Sequence, residues 1–449
     1  MYLIQKYDRP VPRYTSYPPV PYWQPVPPTE SEWLGAVNAR LRELPDLSLY
    51  VHLPFCEQLC TYCGCNKRIT RNHGVEAPYI DALLAEWKRY LPALPAGTRI
   101  RELHLGGGTP TFFSPHHLGR LVAGILREVP AAAGADLSLE AHPNGTTPRH
   151  LAVLREYGFN RISVGVQDFS MDIMRIINRK QTTDQIYRTV DAARLLGYES
   201  VNFDLIYGLP TQQLADIERT AVHVAALRPD RIAYYGYAHV PWVSPGQRAY
   251  HEHDLPRGRA KHLLHERGNK LLEAEGYHNI GLDHFSLPTD TLYQSAIDGT
   301  LHRNFMGYTT GTTLTTIALG CSAIGDSWDT YVQNEKTVED YQRAVLTEGH
   351  LPLVKGHRLS RDEQVVRRHI LNLMCHQTTE WREENQRCAA VDRAVTHWDE
   401  MAADGLLTRS PYRIEVTSLG SPFLRNICLP LDDHHYLRQA TGPLFSQSV

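Results

Sequence analysis

The stretch CEQLCTYCGC, residues 56 to 65, holds four of the eight cysteines of this 449-residue chain and directly follows the apolar run LSLYVHLPF. In a reducing compartment structural disulfides are disfavoured, so clustered thiols there are metal ligands or redox groups. The other cysteines are scattered, and we expect them to be small buried side chains: Cys321, Cys375, Cys388 and Cys428. The sequence therefore predicts a metal or redox site in this loop.

The spacing within the loop is C-x3-C-x2-C-x-C. A tetrahedral zinc site usually draws on two separated ligand pairs, and no second pair follows at the usual distance, so zinc is disfavoured. A ferredoxin run would supply four thiolates and close its cluster. Here Cys65, only two positions after Cys63, is poorly placed to bind the same cluster. Three thiolates on a four-iron cluster would leave one iron open for chemistry.

Composition and charge narrow the class of protein. The chain carries 46 basic and 49 acidic residues, a formal charge of -3, which indicates no general affinity for nucleic acid or anionic membrane. The start, MYLIQKYDRPVPRY, lacks an apolar signal core, and no apolar run approaches the roughly 18 residues that span a bilayer. We therefore predict a cytoplasmic protein.

Strand and helix patterns alternate through the first 355 residues. Helical stretches such as PYIDALLAEWKRYL and HHLGRLVAGILREV repeat apolar residues at three and four positions. The β-rich runs between them are residues 48 to 53, 100 to 105, 136 to 141, 161 to 166, 200 to 206 and 230 to 237. This alternation predicts an α/β fold with a parallel sheet, and active residues at the carboxyl ends of its strands.

The two ends of the chain differ from this middle part. The Pro-rich segment at residues 18 to 30 predicts an extended arm, and residues after about 355 are mostly helical before the β-like YRIEVTSLG. The latter pattern resembles a winged helix, but without a basic stripe we favour a packing domain or substrate lid over a DNA-binding one. The predicted organisation is an N-terminal, substrate-side arm (1–45), a catalytic domain with an extension (46–355) and a C-terminal, mostly helical domain (356–449).

Polar residues at the strand ends predict a ligand pocket. GGGTP at residues 106 to 110 offers bare backbone to a ligand. Glu140, Gln167 and Asp204 are predicted to close strands three, four and five, so their side chains would converge on one barrel mouth. Together with Arg179 they suit a zwitterionic amino acid and a ribose, since a guanidinium holds a carboxylate bidentately.

The C-x3-C-x2-C loop resembles the cluster loop of the radical S-adenosylmethionine (SAM) superfamily. The wider sequence is similar to one family in it, the oxygen-independent coproporphyrinogen III oxidases. The motifs that carry this resemblance are RYTSYP (13–18), YVHLPFC (50–56), CGCNK (63–67), LHLGGGTPT (103–111), GVQDF (165–169), NFDLIYGLP (202–210), YAHVP (237–241), LDHF (282–285), HRNFMGYTT (302–310) and RNICLPLD (425–432). The three cysteines alone indicate only the superfamily, whereas Cys65 and RYTSYP are more specific.

The resemblance implies a partial (β/α)6 barrel, a [4Fe-4S] cluster and two molecules of SAM. The implied cluster ligands are Cys56, Cys60 and Cys63. The first SAM would contact Tyr50, Gly107, Glu140 and Ile324. The second would contact Tyr62, Gly108, Thr109, Gln167, Arg179, Asp204 and Ala238. The catalytic candidates are Cys65, Tyr50, Glu140 and Phe305. The implied reaction removes carbon dioxide from two propionates of coproporphyrinogen III, leaving the vinyl groups of protoporphyrinogen IX.

The resemblance also suggests substrate contacts and partners. Arg13, Tyr14 and Tyr17 suit the four carboxylates of the substrate, although an arm that merely packs over the barrel is the alternative. We expect Cys65 to lie near the substrate without binding iron, the alternative being a small packed side chain. An electron donor such as flavodoxin or ferredoxin is implied, and we expect a monomer.

Two positions depart from the family pattern. Met306 stands where a glutamine is common, and a thioether cannot donate the hydrogen bond of an amide. His142 stands where an acidic residue is frequent, and we expect it to be a loop residue or to lie behind the residues that touch the ligand. Both departures concern substrate positioning rather than the cofactors.

Two other functions stay open. Within the superfamily, a haem chaperone or haem-acting methyltransferase is possible, but chaperone relatives usually lack the cysteine at position 65 and the RYTSYP arm. Outside it, a cluster-bearing electron-transfer protein or a zinc-binding protein would leave the polar strand ends without a purpose.

Overall fold

The structure is a computed structural model, and it describes residues 2–242, 244–311 and 313–437. In chain order the strands are β1 Asp46–Leu53, β2 Phe55–Cys56, β3 Arg68–Ile69, β4 Arg99–Gly107, β5 Ala131–Ala141, β6 Arg161–Gln167, β7 Ser200–Tyr207, β8 Arg231–Gly236, β9 His278–Gly281, β10 His284–Ser286, β11 His302–Asn304, β12 Gly307–Thr309, β13 Thr315–Leu319, β14 Ile324–Asp326, β15 Thr330–Asn334, β16 Leu353–Arg358, β17 Thr378–Glu380, β18 Leu407–Ser410 and β19 Arg413–Val416. The α-helices are α1 Tyr2–Tyr7, α2 Glu30–Glu43, α3 Glu76–Tyr90, α4 Pro115–Glu128, α5 Pro148–Glu156, α6 Met171–Ile176, α7 Thr183–Leu195, α8 Leu214–Leu227, α9 Arg259–Ala274, α10 Thr291–Ile297, α11 Val338–Gln342, α12 Arg361–His376, α13 Ala389–Ala403, α14 Leu424–Cys428 and α15 Asp433–Leu437. Within these ranges no helix is long and apolar enough to cross a bilayer.

The centre of the described chain is a run of six parallel strands that lie side by side in sequence order: β1, β4, β5, β6, β7 and β8. One or more helices connect each strand to the next, as parallel neighbours require. This arrangement confirms the partial (β/α)6 barrel that the alternating pattern and the resemblance predicted.

Further strands extend both edges of this sheet. On one side β13 pairs parallel with β1, and β14, β15 and β16 continue in antiparallel fashion. On the other side β10 pairs antiparallel with β8 and carries β9. Among the described residues the two outermost strands, β16 and β9, do not pair with each other, so the barrel is open.

The parallel strands separate an apolar outer face from a polar inner face. In β1, Leu47, Leu49 and Val51 are fully buried in the main core, which the helices cover. The alternate residues of the strand include Tyr50 and His52, which point to the other face and line a cavity. Because side chains alternate along a strand, the core lies outside the barrel wall and the interior is free for a site.

The C-terminal part forms a second core from α12, α13, α14 and the three-stranded sheet β17-β19-β18. The hairpin of β18 and β19 confirms the predicted wing-like segment. Tyr7, Val11, Tyr14 and Tyr17 of the N-terminal segment pack in this second core, whereas α2 packs on the barrel. The domain boundaries stay predictions, and residues 438–449 lie outside the described residues.

Replacing Trp33 with alanine tests whether α2 belongs to the barrel core. Trp33 is 0% exposed, and its Nε1 donates to the Tyr90 hydroxyl at 3.0 Å. We expect a loss of about 3–5 kcal/mol in the free energy of unfolding, because the cavity left behind cannot collapse fully. Chemical denaturation measures this loss. Trp242→Ala is the control, because Trp242 is 49% exposed and its loss should cost little. If both variants lost the same free energy of unfolding, Trp33 would not contribute to the barrel core and α2 would lie outside it.

Candidate functional site

The cysteine loop is tied to the barrel by four successive backbone carbonyls. Those of residues 53 and 55 accept hydrogen bonds from the glycine-rich turn, and those of residues 54 and 56 accept from the segment that ends the loop. The donors are the amides of Gly108 (2.9 Å), Arg68 (2.8 Å), Thr109 (3.0 Å) and Thr70 (2.9 Å), taken in the order of the carbonyls. The segment between β1 and the first cysteine thus lies like a short central strand, and both ends of the loop are fixed.

The glycine-rich turn has to approach this segment closely. A Cβ on Gly108 would lie 2.5 Å from the Pro54 carbonyl oxygen, and one on Gly107 would lie 2.7 Å from the His52 ring. Gly107 also has a φ of 114°, which side chains other than glycine rarely adopt. The sequence predicted glycines for ligand access, and the structure adds that they let the turn pack on the cysteine loop.

Three thiols of the loop face a cavity at the carboxyl ends of the strands. The Cys56 thiol lies 3.3 Å from the Thr109 hydroxyl, and the Cys60 sulfur accepts from Arg179 Nη1 at 3.6 Å. Burial raises the pKa of Cys56 to about 11. Cys63 lines the same cavity. The structure therefore brings together the three predicted cluster ligands.

The chemistry of these three donors fits an iron–sulfur cluster, which is held by cysteine thiolates. Among the described residues, no three His, Cys, Asp or Glu side chains converge closely enough to hold one metal ion. The iron atoms of a [4Fe-4S] cube stand at separate corners, so their thiolate ligands are spread around the cube. Cys56, Cys60 and Cys63 line one cavity, so the thiolate donors of such a cluster are present together.

Several residues that the sequence analysis did not single out hold the loop in shape. Lys67 Nζ donates to the carbonyl oxygens of Cys63 (3.1 Å) and Cys65 (3.2 Å). The Ser244 hydroxyl donates to the Cys63 carbonyl at 2.8 Å, and Gln247 Nε2 donates to the Tyr62 carbonyl at 3.0 Å. Lys67 belongs to the CGCNK motif and could have been found there. Ser244 and Gln247 reach the loop only through the tertiary fold.

Two adjoining cavities meet at the cysteine loop. The inner cavity, of about 390 Å³, runs through the barrel. Of the predicted residues it is lined by Cys56, Cys60, Tyr62, Cys63, Cys65, Gly107, Gly108, Thr109, Glu140, Gln167, Arg179 and Asp204. The side cavity, of about 780 Å³, lies towards β13 and β14. Of the predicted residues it is lined by Tyr50, Cys65, Gly107, Glu140, Phe305 and Ile324.

The two cavities match the two predicted groups of SAM contacts. All four residues of the first group line the side cavity. Six of the seven residues of the second group line the inner cavity. Ala238 lines neither of these cavities, and its carbonyl oxygen accepts from Gln247 Nε2 at 3.2 Å. The shared wall contains Cys65, Glu140 and Met306.

The predicted substrate contacts are not brought into either cavity. Tyr14 and Tyr17 are each 3% exposed and pack in the second core, where the Tyr14 hydroxyl donates to Asp432 Oδ2 at 3.2 Å. Arg13 is ion-paired with Asp283 and is partly exposed. For the two tyrosines this placement favours the alternative, in which they hold the arm in place by packing. Arg13 stays a candidate contact for a substrate carboxylate.

One expectation about the pocket residues was wrong in detail. Asp204 does not close its strand, since β7 continues for three residues to Tyr207, and its side chain lies inside the barrel. His142 is a loop residue, as the first of its two alternatives predicted, because it follows directly after β5, and its side chain lines the inner cavity. Burial, and then the charge of Arg179, hold the pKa of His142 well below its usual range, so the imidazole is neutral.

Carboxylates face each other across the inner cavity. Glu140 Oε2 accepts from the Gly107 amide at 3.0 Å, which fixes the carboxylate beside the turn. Asp204 accepts from Ser163 (3.1 Å) and Asn202 (2.9 Å). Burial, and then the charge of Glu140, raise the pKa of Asp204 to about 7. The cavity thus offers acceptors for amino and hydroxyl groups near the Arg179 guanidinium.

Six parallel strands, the first of which leads into a cysteine loop, are the architecture of a radical SAM domain. The model of the Radical SAM superfamily matches residues 50–224. The chain is 38% identical over 455 residues to the oxygen-independent coproporphyrinogen III oxidase of Pseudomonas aeruginosa, covering 100% of this chain and 98% of that protein. It is 38% identical over 452 residues to the same enzyme of Escherichia coli, covering 97% and 95%. A solved structure of coproporphyrinogen III oxidase from Escherichia coli, described as a radical SAM enzyme, has a TM-score of 0.87 at 36% identity, covering 94% and 97%. This chain belongs to the family of oxygen-independent coproporphyrinogen III oxidases.

Replacing Gly108 with alanine should loosen the cysteine loop. The added methyl would press on the Pro54 carbonyl, which Arg68 already holds, and such overpacking costs about 1–3 kcal/mol. We expect less iron bound per chain after anaerobic reconstitution than in the wild type. The control is Gly64→Ala in the same loop, because a Cβ on Gly64 would meet nothing within 4 Å. Equal iron contents in the two variants would contradict the packing argument.

Replacing Asp204 with asparagine should stabilise the ligand-free protein at high pH. The folded state raises this pKa from 3.8 to about 7, so the stability that the group contributes is full below pH 3.8 and is lost as the pH rises through 7. We therefore expect the variant to melt about 2 °C or more above the wild type at pH 8. The gap should narrow towards pH 5. Thermal unfolding measures it, with the exposed Asp298→Asn as control. A gap independent of pH would show that Asp204 is not a buried carboxylate.

Proposed function

We propose that this protein converts coproporphyrinogen III to protoporphyrinogen IX by oxidative decarboxylation of two propionate side chains without oxygen. The chain matches relatives named for this oxidase along almost their whole length. The observation that carries the proposal is a loop of three thiols at the meeting point of two cavities.

The cofactors are a [4Fe-4S] cluster and SAM, which supply an electron and a 5′-deoxyadenosyl radical able to remove hydrogen from a carbon atom. Loss of a hydrogen atom from the β-carbon of a propionate to the 5′-deoxyadenosyl radical, then of carbon dioxide and of one electron to an external one-electron acceptor, leaves a vinyl group. A reduced protein such as flavodoxin or ferredoxin is the expected electron source, and the chain is expected to act as a monomer.

The residues have the following proposed roles. Cys56, Cys60 and Cys63 would hold the cluster through three thiolates, which would leave an open metal position for the first SAM, whose predicted contacts line the side cavity. Tyr50, Gly107, Glu140 and Ile324 contact that molecule. The inner cavity takes the second SAM, with Arg179 towards its carboxylate and Asp204 towards a hydroxyl or amino group. The assignment of two SAM molecules to two cavities is supported by Tyr50 and Ile324, which line only the side cavity, and by six residues of the second group, which line only the inner one.

Cys65 and the hairpin β11–β12 complete the site on the substrate side. Cys65 lines both cavities and lies beside Cys63. Phe305 lines the side cavity, and Met306 lies on the shared wall. We propose that the Cys65 thiol acts near the substrate and that Phe305 and Met306 exclude water from the reacting carbon. Met306 offers no hydrogen bond in place of the usual amide, so positioning here depends on shape.

An anaerobic assay tests this function. Reconstituted protein is mixed with a strong reductant, SAM and coproporphyrinogen III, and 5′-deoxyadenosine and protoporphyrinogen IX are followed together. Formation of both, dependent on substrate, supports the decarboxylase. Formation of deoxyadenosine without the porphyrin product would show active cofactors and another substrate, as a chaperone or methyltransferase requires. Absence of both with a full cluster content would contradict a radical enzyme.

Replacing Cys65 with serine separates its role from that of the ligands. We expect the variant to keep the iron content of the wild type and to lose porphyrin formation by about 10²-fold or more, because the thiol lies by the reacting groups rather than on iron. Cys60→Ser is the matched control and should lose iron. Iron analysis and the assay above give both readings. A drop in iron for both variants would make Cys65 a ligand.

A further inference from the structure

Three cations from distant parts of the chain meet beside the barrel mouth. Arg13 belongs to the N-terminal segment, Lys261 to the first turn of α9, and Arg425 to α14 of the C-terminal part. Each is partly exposed. Arg13 forms an ion pair with Asp283, and Arg425 Nη1 donates to the Val11 carbonyl at 3.2 Å. We call these three residues the cationic cluster.

The cluster lies at the same end of the barrel as the cysteine loop. Lys261 packs against Gly208, the residue that follows β7, where its Cε would be 3.3 Å from an added Cβ. The Arg13 guanidinium lies over the Tyr235 ring, 5.6 Å from its centroid. Tyr235 is the penultimate residue of β8 and lines the inner cavity. Because β7 and β8 run parallel to β1 and β4, their carboxyl ends open on one mouth.

Tyr235 separates the cationic cluster from the carboxylates inside the barrel. The charges of Asp204 and Arg13 both act on its phenol, and of these two residues only Asp204 lines the inner cavity. The ring is thus a wall between a cofactor cavity lined by carboxylates and an outer region lined by cations. A substrate that reaches the cavity from the mouth would pass this wall.

The three cations of the cluster lie close enough for their charges to act on one another. The carboxylate of Asp283 acts on all three of them, and that of Asp8 acts on Lys261. Burial, and then the neighbouring charge of Arg13, lower the pKa of Arg425 to about 10. Burial and the charge of Arg425 lower the pKa of Lys261. An anion that bound beside the cluster would relieve the repulsion between its members.

We propose that Arg13, Lys261 and Arg425 bind the propionates of the tetrapyrrole that are not reacting. This inference rests on the proposed function, since coproporphyrinogen III carries four carboxylates and only two are lost. While one propionate points towards the cofactors, the others lie on the far side of the macrocycle and need partners outside the cavity. Cations at the mouth supply charge-assisted hydrogen bonds to them. The N-terminal and C-terminal segments then contribute directly to substrate recognition.

Replacing Lys261 with glutamine tests the cluster. Lys261 packs against Gly208 at the mouth, and the described part of the chain contains no hydrogen bond of its side chain that the change would break. We expect KM for coproporphyrinogen III to rise about tenfold or more with little change in kcat, since a binding contact common to ground and transition states is lost. Iron content should not change. Lys270→Gln, an exposed lysine on the same helix, is the control and should keep the wild-type KM.

A direct binding measurement gives a second reading. Coproporphyrin III, the oxidised relative with the same four carboxylates, is titrated by fluorescence against its tetramethyl ester. Wild-type protein should prefer the acid over the ester, and Lys261→Gln and Arg425→Gln should reduce that preference about tenfold. Arg425→Lys, which keeps the charge, should retain most of it, and thermal unfolding checks that each variant is folded.

The outcomes separate this inference from the proposed function. If the wild type forms protoporphyrinogen IX while both glutamine variants keep its KM and its preference for the acid, the cationic cluster is not the carboxylate site. If the wild type forms no protoporphyrinogen IX but binds coproporphyrin III through Lys261 and Arg425, the carboxylate site stands and the reaction is wrong. If Lys270→Gln loses binding as well, the loss reflects the net charge of the surface rather than the cationic cluster, and the proposal is wrong.

Discussion

The backbone of residues 53 to 56 is the part of the structure on which the site depends. Its carbonyls alternate between the amides of the glycine-rich turn and those of the segment that ends the cysteine loop. Without these hydrogen bonds the loop that carries three cluster ligands would be flexible. Ordering it on cluster binding would then cost conformational entropy and weaken the binding. Because Gly107 and Gly108 have no side chains, the turn reaches this backbone and fixes the loop before the cluster binds.

The barrel wall solves a second problem, that of placing charged groups inside a folded protein. Leu, Val and Ile on alternate positions of the strands pack outwards against the helices, so the apolar core does not occupy the barrel. Asp204, Glu140 and Arg179 can then share an interior with a cluster and a sulfonium ligand. The raised pKa of Asp204 shows the cost of this arrangement in the ligand-free chain. A site that binds a positively charged ligand tolerates this cost, because the positive charge of the ligand stabilises the buried carboxylates.

The two ends of the chain are joined by packing rather than by sequence proximity. Tyr7, Val11, Tyr14 and Tyr17 are buried among residues of α12, α13 and α14. This contact places Arg13 and Arg425 together near the ends of β7 and β8. The same motif, RYTSYP, thus has two uses, because its tyrosines anchor the segment and its arginine remains partly exposed at the mouth.

The sequence by itself determined the six parallel strands with their connecting helices, the cysteine loop and the glycine-rich turn. These depend on local periodicity and on residues close together in the chain, so a single sequence contains them. It also supplied Glu140 and Gln167, whose placement follows from neighbouring parallel strands, and Arg179, which lies in the segment between α6 and α7. Only the tertiary structure decided that His142 faces the cavity, that Tyr14 and Tyr17 are buried elsewhere, and that Ser244 and Gln247 hold the loop. Lys261 and Arg425 join Arg13 for the same reason, since contacts between distant segments depend on how whole elements pack, and one sequence carries no local signal for that.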